Sequence, residues 1–124
     1  MRRRIWPERR IGMAAYDKAH ELARELKESD EYKEYQKAKQ AILQSDAALS
    51  ILKEYRKKQL EYEMSLLAGT EPDPKKKEEL DKISEIVNMH GAVKRFLEAE
   101  QRVLVMMTDI QRILTGALDL LEYA

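Results

Sequence analysis

Four apolar residues at seven-residue intervals, Phe96, Val103, Ile110 and Ala117, constrain this chain more than any other feature. A second row, Met107, Leu114 and Leu121, runs three to four residues out of phase, and a third, Ala99, Met106, Ile113 and Leu120, runs beside both. At 3.6 residues per turn, side chains with these spacings gather on one side of an α-helix. Three adjacent rows make a stripe too broad for one neighbouring helix to cover. The pattern therefore predicts a long C-terminal helix, from about Ala92 to Leu121, that meets more than one partner.

The rest of the chain reads as helix as well. A first helix over 13–28 carries Ala15, Ala19, Leu22 and Leu26 on one stripe. Ser29 reads as an N-cap, with Asp30 and Glu31 favouring the positive end of a second helix that holds Tyr32, Tyr35, Ala38, Ile42 and Leu43. Ser45 and Asp46 start a third, over about 46–68, with Ala48, Leu52, Tyr55, Gln59, Tyr62 and Leu66 on its stripe and Gly69 as its left-handed stop. In the turn TEPDP, Asp73 caps and Pro74 suits the first turn of a fourth helix, over about 74–88, built on Leu80, Ile83 and Val87. Asn88, His90 and Gly91 mark a break before the fifth. No segment alternates with period two, so no sheet is expected. The reading is an all-α antiparallel bundle of about five helices with helices three and five as a long spine, forming a dimer.

Composition bounds the function classes. The 124 residues suit one domain, 13–124, preceded by a flexible basic arm, 1–12. A charged fraction of 37% beside an apolar fraction of 44% is the mixture of long solvated helices rather than of disorder. Net charge is zero, but five arginines against Glu8 give the arm +4, which leaves −4 for the body. That body offers no broad basic face to a nucleic-acid backbone. With no cysteine, disulfides, zinc–thiolate sites and cysteine-ligated clusters are excluded. No apolar run reaches the ~18–20 residues of a membrane span, and no apolar segment follows the basic arm as in a secretory signal. A cytoplasmic protein is expected.

Chemistry-bearing residues are sparse. His20 and His90, the only histidines, belong to no metal-ligand spacing. No Glu-x-x-His motif of the di-iron bundles occurs, since Asp17 and Val87 stand three residues before them. The many carboxylates alternate with lysines, as in Lys75–Glu79, in the manner of solvated helix faces. No catalytic residue, cofactor or metal is expected. Tyr32, Tyr35, Tyr55 and Tyr62 are interleaved with glutamates, which suits core packing better than a base-stacking platform. Glu100 and Gln59 occupy stripe positions. They either reach the stripe's edge or form a buried polar contact that fixes helix register at a cost in stability. Arg2, Arg3, Arg4, Arg9 and Arg10, with Trp6, are the one electrostatic handle for RNA.

The segment order carries a resemblance. SDEYKEYQKAKQAI, the polar break at Asp46, AALSILKEYRKKQLEYE and Gly69 are followed by Val93, Phe96, Leu97, Ala99 and Glu100 and a closing helix with Ile110 and Ile113. Together they resemble the YlbF/YmcA family, small helical proteins of Gram-positive bacteria, and its YheA-like branch in particular. The likeness spans about 13–121 and rests on packing and capping residues. It implies a helical protein that dimerises, and a non-catalytic partner of a ribonuclease Y complex affecting mRNA processing, competence, biofilm formation and sporulation. Better-known members carry iron–sulfur clusters on cysteines. This chain has none of those ligands, so that property does not transfer.

The expectation is a non-enzymatic regulatory adaptor, a homodimer acting through contacts with unidentified, ribonuclease-associated proteins. Phe96, Val103, Met106, Ile110, Ile113 and Leu114 are candidates for its interface or its core. The rival reading is an RNA-binding adaptor that uses the arginine arm.

Overall fold

The computed structural model describes residues 13–69, 71 and 73–120. Its five helices are α1 (Met13–Lys27), α2 (Asp30–Leu43), α3 (Asp46–Leu67), α4 (Pro74–Met89) and α5 (Gly91–Gly116). No strand occurs among the described residues.

Local chemistry sets most boundaries. The Tyr32 amide donates to Ser29 Oγ at 3.2 Å and the Ala48 amide to Ser45 Oγ at 3.1 Å, each satisfying a donor that a helix start leaves unpaired. The Lys75 amide donates to Asp73 Oδ1 at 2.9 Å, with Pro74 in the first turn. Gly69, at φ 79°, turns the chain out of α3 in a conformation that side-chain-bearing residues avoid. His90 alone separates α4 from α5. It is held extended at φ −106° and ψ 105°, and its Nδ1 accepts from the Val93 amide at 3.4 Å.

α2 packs most extensively along α5, and α3 along α4. The predicted long helices are indeed the two longest, yet each takes a shorter helix as its main companion and they meet one another less. Lys58 pairs with Glu79, and Glu61, one turn later, with Lys76, so α3 and α4 are antiparallel. Tyr35 meets Phe96, whereas Glu31, earlier on α2, borders Met106 and Ile110, so α2 and α5 are antiparallel as well. The fold is thus two helix pairs joined at Gln44–Ser45 and at His90.

The core sits at that junction. Ile42 from the end of α2, Ala48 and Leu52 from the start of α3, Val87 from the end of α4, and Val93 and Phe96 from the start of α5 form one cluster. Val93 and Ala48 are wholly inaccessible. Ile83 and Ala99, one turn further out, complete the buried set. Beyond them neither pair buries a residue among those described.

α5 ends at Gly116 rather than near Leu121. Residues 117–120 are a turn, a bend and irregular chain, and Leu121 lies outside the described residues. Glycine is a poor helix former, and it stops the helix although the apolar rows run on.

Candidate interaction surface

The six apolar candidates divide between two fates. Phe96 is core, with its ring centroid 5.4 Å from that of Tyr35. Val103, Met106 and Ile110 are half-buried, the last two bordering a groove of about 410 Å³ with Glu31 of α2. Ile113 and Leu114 face outward at 69% and 52% exposure. The five arm arginines lie outside the described residues.

Glu100 resolves into a specific contact. A single guanidinium nitrogen of Arg56, Nη2, donates to both its carboxylate oxygens, at 2.9 and 2.8 Å. The guanidinium carbon also lies 5.9 Å from the Phe96 ring centroid, within reach of its electron-rich face. This bridge joins α3 to α5 beside the core, at the exposed edge of the stripe and not as a buried polar contact. Gln59 is half-buried. Tyr32, Tyr35, Tyr55 and Tyr62 are half-buried too, Tyr32 and Tyr35 stacking at 6.1 Å with the Tyr32 hydroxyl accepting from Gln36.

Outside the core, charge ties α3 to α4. Lys58 Nζ lies 3.3 Å from Glu79, 3.7 Å from Glu61 and 3.8 Å from Glu54. Its hydrogen bond to Glu79, above all, holds the ammonium pKa above its ordinary value, against the opposing pull of partial burial. Glu61 Oε1 is enclosed without a hydrogen bond, yet it sits between Lys58 and Lys76, 3.7 and 3.6 Å away. Among the described residues no three His, Asp or Glu side chains converge as metal ligands would, and no helix is long and apolar enough to cross a membrane.

The main feature is uncovered apolar surface. The faces that carry Arg56 and Glu100 continue outward as apolar rows. On α3 these are Leu60, Met64 and Leu67, and on α5 Leu104, Met107 and Leu114. Helical spacing sets Leu60, Leu67, Leu104, Met107 and Leu114 within about 40° of their bridging residue and Met64 about 80° from Arg56, with Glu63 on the same side. All six are exposed, Leu67 at 81%. The α3 row is legible at i, i+4, i+7 beside the predicted stripe of Tyr55, Tyr62 and Leu66, whose last member is itself exposed at 43%. Ile86 and Met89 form a smaller outward pair on α4.

The amount of exposed surface supports the same point. The chain exposes 10365 Å², against roughly 6,900 Å² for a compact monomer of 14.6 kDa. Assign the eighteen residues outside the description the full surface of an unfolded chain, roughly 170 Å² each. The other 106 still carry about 1,000 Å² more than a compact monomer of that size.

Comparison with known proteins places this geometry in a family. A sequence model described as "Control of competence regulator ComK, YlbF/YmcA" matches residues 15–119. A UPF0342 protein of Halothermothrix orenii is 39% identical over 108 residues, covering 87% of this chain and 92% of the relative. Another, from Symbiobacterium thermophilum, is 36% identical over 104 residues, covering 84% and 93%. A solved structure, a protein of unknown function (DUF964) from Bacillus stearothermophilus, superposes with a TM-score of 0.71 at 17% identity, over 82% of this chain and 90% of that one. At that identity the likeness speaks for the fold.

Proposed function

We propose that this chain, which belongs to the YlbF/YmcA family, is a non-catalytic regulatory adaptor that works as a homodimer and acts by contact with other proteins. One observation carries the reading: the apolar rows of α3 and α5 beyond the Arg56–Glu100 bridge lie open in a single copy. Large exposed apolar patches on a chain this charged mark interaction surface. A stable pair usually buries ~800 Å² per partner, which is within the surplus this chain exposes. Ile86 and Met89, on α4, are left to serve a different protein. The family description names control of a competence regulator. Together with the resemblance to partners of a ribonuclease complex, it supports a role in RNA processing or developmental regulation.

The test is capture at native expression levels with the intact chain and an Ile86→Glu, Met89→Glu variant, read by quantitative mass spectrometry. Ribonuclease components enriched by the first and lost by the second, with both chains dimeric, are the expected result. No protein enriched over the variant, or RNA bound directly with steep salt dependence, would reject the adaptor reading.

A further inference from the structure

We infer that the far half of α5 pairs with its own counterpart in a second copy, antiparallel, along a seam of Leu104, Met107, Gln111 and Leu114 bounded by Glu100 and Leu118. The pairing rests on the homodimer of the preceding section and specifies how it is built.

Spacing marks the seam. From Glu100 to Leu118 the six positions advance by four, three, four, three and four residues, the a/d repeat with which two helices pack into a coiled coil. Glu100, Met107 and Leu114 take the d positions, and Leu104, Gln111 and Leu118 the a positions. Leu104 to Leu114 lie within about 40° of Glu100 around the helix, and Leu118 follows just past its last turn. Met106 and Ile110, to one side, border α2, whereas all four residues of the seam stay exposed.

The distribution of charge selects a second copy as the occupant. In a chain that is 37% charged, the only charge on this line is Glu100, which Arg56 already holds. Arg102, Asp109 and Arg112 lie about 120° or more from it, and the last two pair with each other at 3.4 Å. Unlike partners are steered and matched by opposite charges, and this face offers none. Groups near a two-fold axis meet their own images, so a charge there would repel itself. Met107 and Gln111, at the middle of the line, are neutral.

The ends of the line set the direction. A parallel pair would place Glu100 against Glu100 of the second copy. It would also bring together the two near halves, where Arg56 already lies over Phe96 and Glu100. An antiparallel pair with its axis between Met107 and Gln111 sets Leu104 against Leu114 and Met107 against Gln111, an a position facing a d position each time. Each Glu100 then meets the level of Leu118, and the two cores stand at opposite ends. Leu104, Met107, Leu114 and Leu118 cover roughly 100 Å² each, and the flanking Val103, Thr108, Ile110 and Gln111 roughly half as much, about 600 Å² per chain. The pair thus buries about 1,200 Å², where specific interfaces begin.

The chain has no cysteine, so an introduced thiol reports on one position alone. Full-length Leu104→Cys and Leu114→Cys chains are mixed, equilibrated and oxidised with copper phenanthroline. The mixed disulfide dimer should exceed either self-linked dimer at least about tenfold, because like positions lie ~15 Å apart along the axis, beyond the ~7 Å reach of a disulfide. Gln111→Leu, a change at an exposed site outside the core, should tighten the dimer about tenfold while the circular dichroism stays that of the parent. Self-links at both positions without the mixed link, no link in a chain that sediments as a dimer, or a Gln111→Leu dimer of unchanged affinity would overturn the seam and leave the homodimer standing. A full-length chain that stays monomeric would end both.

Discussion

The near and far halves of α5 share one helix and one apolar period, and they meet opposite fates. Phe96 and Leu114 stand eighteen residues apart, five turns of helix, at the same angular position. Phe96 is 5% exposed because α2, α3 and the end of α4 converge on it, and Leu114 is half-exposed because no helix among the described residues packs over it. Periodicity shows that a stripe will be buried. It does not show which molecule buries it.

Single substitutions along that line separate the two halves. The largest effect belongs at the junction. Phe96→Ala removes a ring packed on Tyr35 and under Arg56, and should cost about 3–5 kcal/mol in denaturant unfolding. A loss under 1 kcal/mol would mean that the core lies elsewhere. Leu114→Glu, at the equivalent angle, should leave unfolding of the dilute monomer nearly unchanged and weaken self-association about ten- to a hundredfold, or roughly 1.4–2.8 kcal/mol, by sedimentation. If both variants destabilise the monomer alike, the contrast between the halves is wrong.

The boundary between the halves is the Arg56–Glu100 bridge, 2.8 Å long with side chains 46% and 25% exposed. Solvent screens such a pair, and a double-mutant cycle with Arg56→Met and Glu100→Gln should return a coupling of about 0.5–1 kcal/mol. Zero coupling would show that the bridge does not help to hold α3 against α5.

The smallest effect lies on the α3–α4 pair. The folded state raises the Lys58 ammonium pKa, so its contribution is fully present below pH ~10.5 and fades as pH rises through the higher folded value. Lys58→Met should therefore flatten the alkaline limb of a pH–stability curve. A curve identical to that of the parent chain would show that the carboxylates around Lys58 do not hold α3 to α4.

Much of this was legible in residue order. Ser29, Ser45, Asp73, Pro74 and Gly69 are strong punctuation, and the helices begin and end within a residue or two of them. The break at Asn88–Gly91 could be seen as well, but histidine is not a preferred cap, so the role of the His90 ring could not. The far end of α5 was overextended because apolar spacing continues past Gly116 while helix propensity does not. Which helices pair was not readable, since every stripe is apolar and partner choice depends on how the chain turns at Ser45 and His90. For the same reason Phe96 and Leu114 looked alike in one dimension, and the Leu60, Met64 and Leu67 row gained meaning only once the Arg56 face met α5.

Sedimentation equilibrium of the intact chain at ~100 μM, well above the dissociation constant of a micromolar complex, tests the central claim most directly. The account predicts a particle of twice 14.6 kDa, with the amides of residues 101–114 slower to exchange hydrogen than in the dilute chain. A particle of 14.6 kDa with those amides equally protected at every concentration would contradict it.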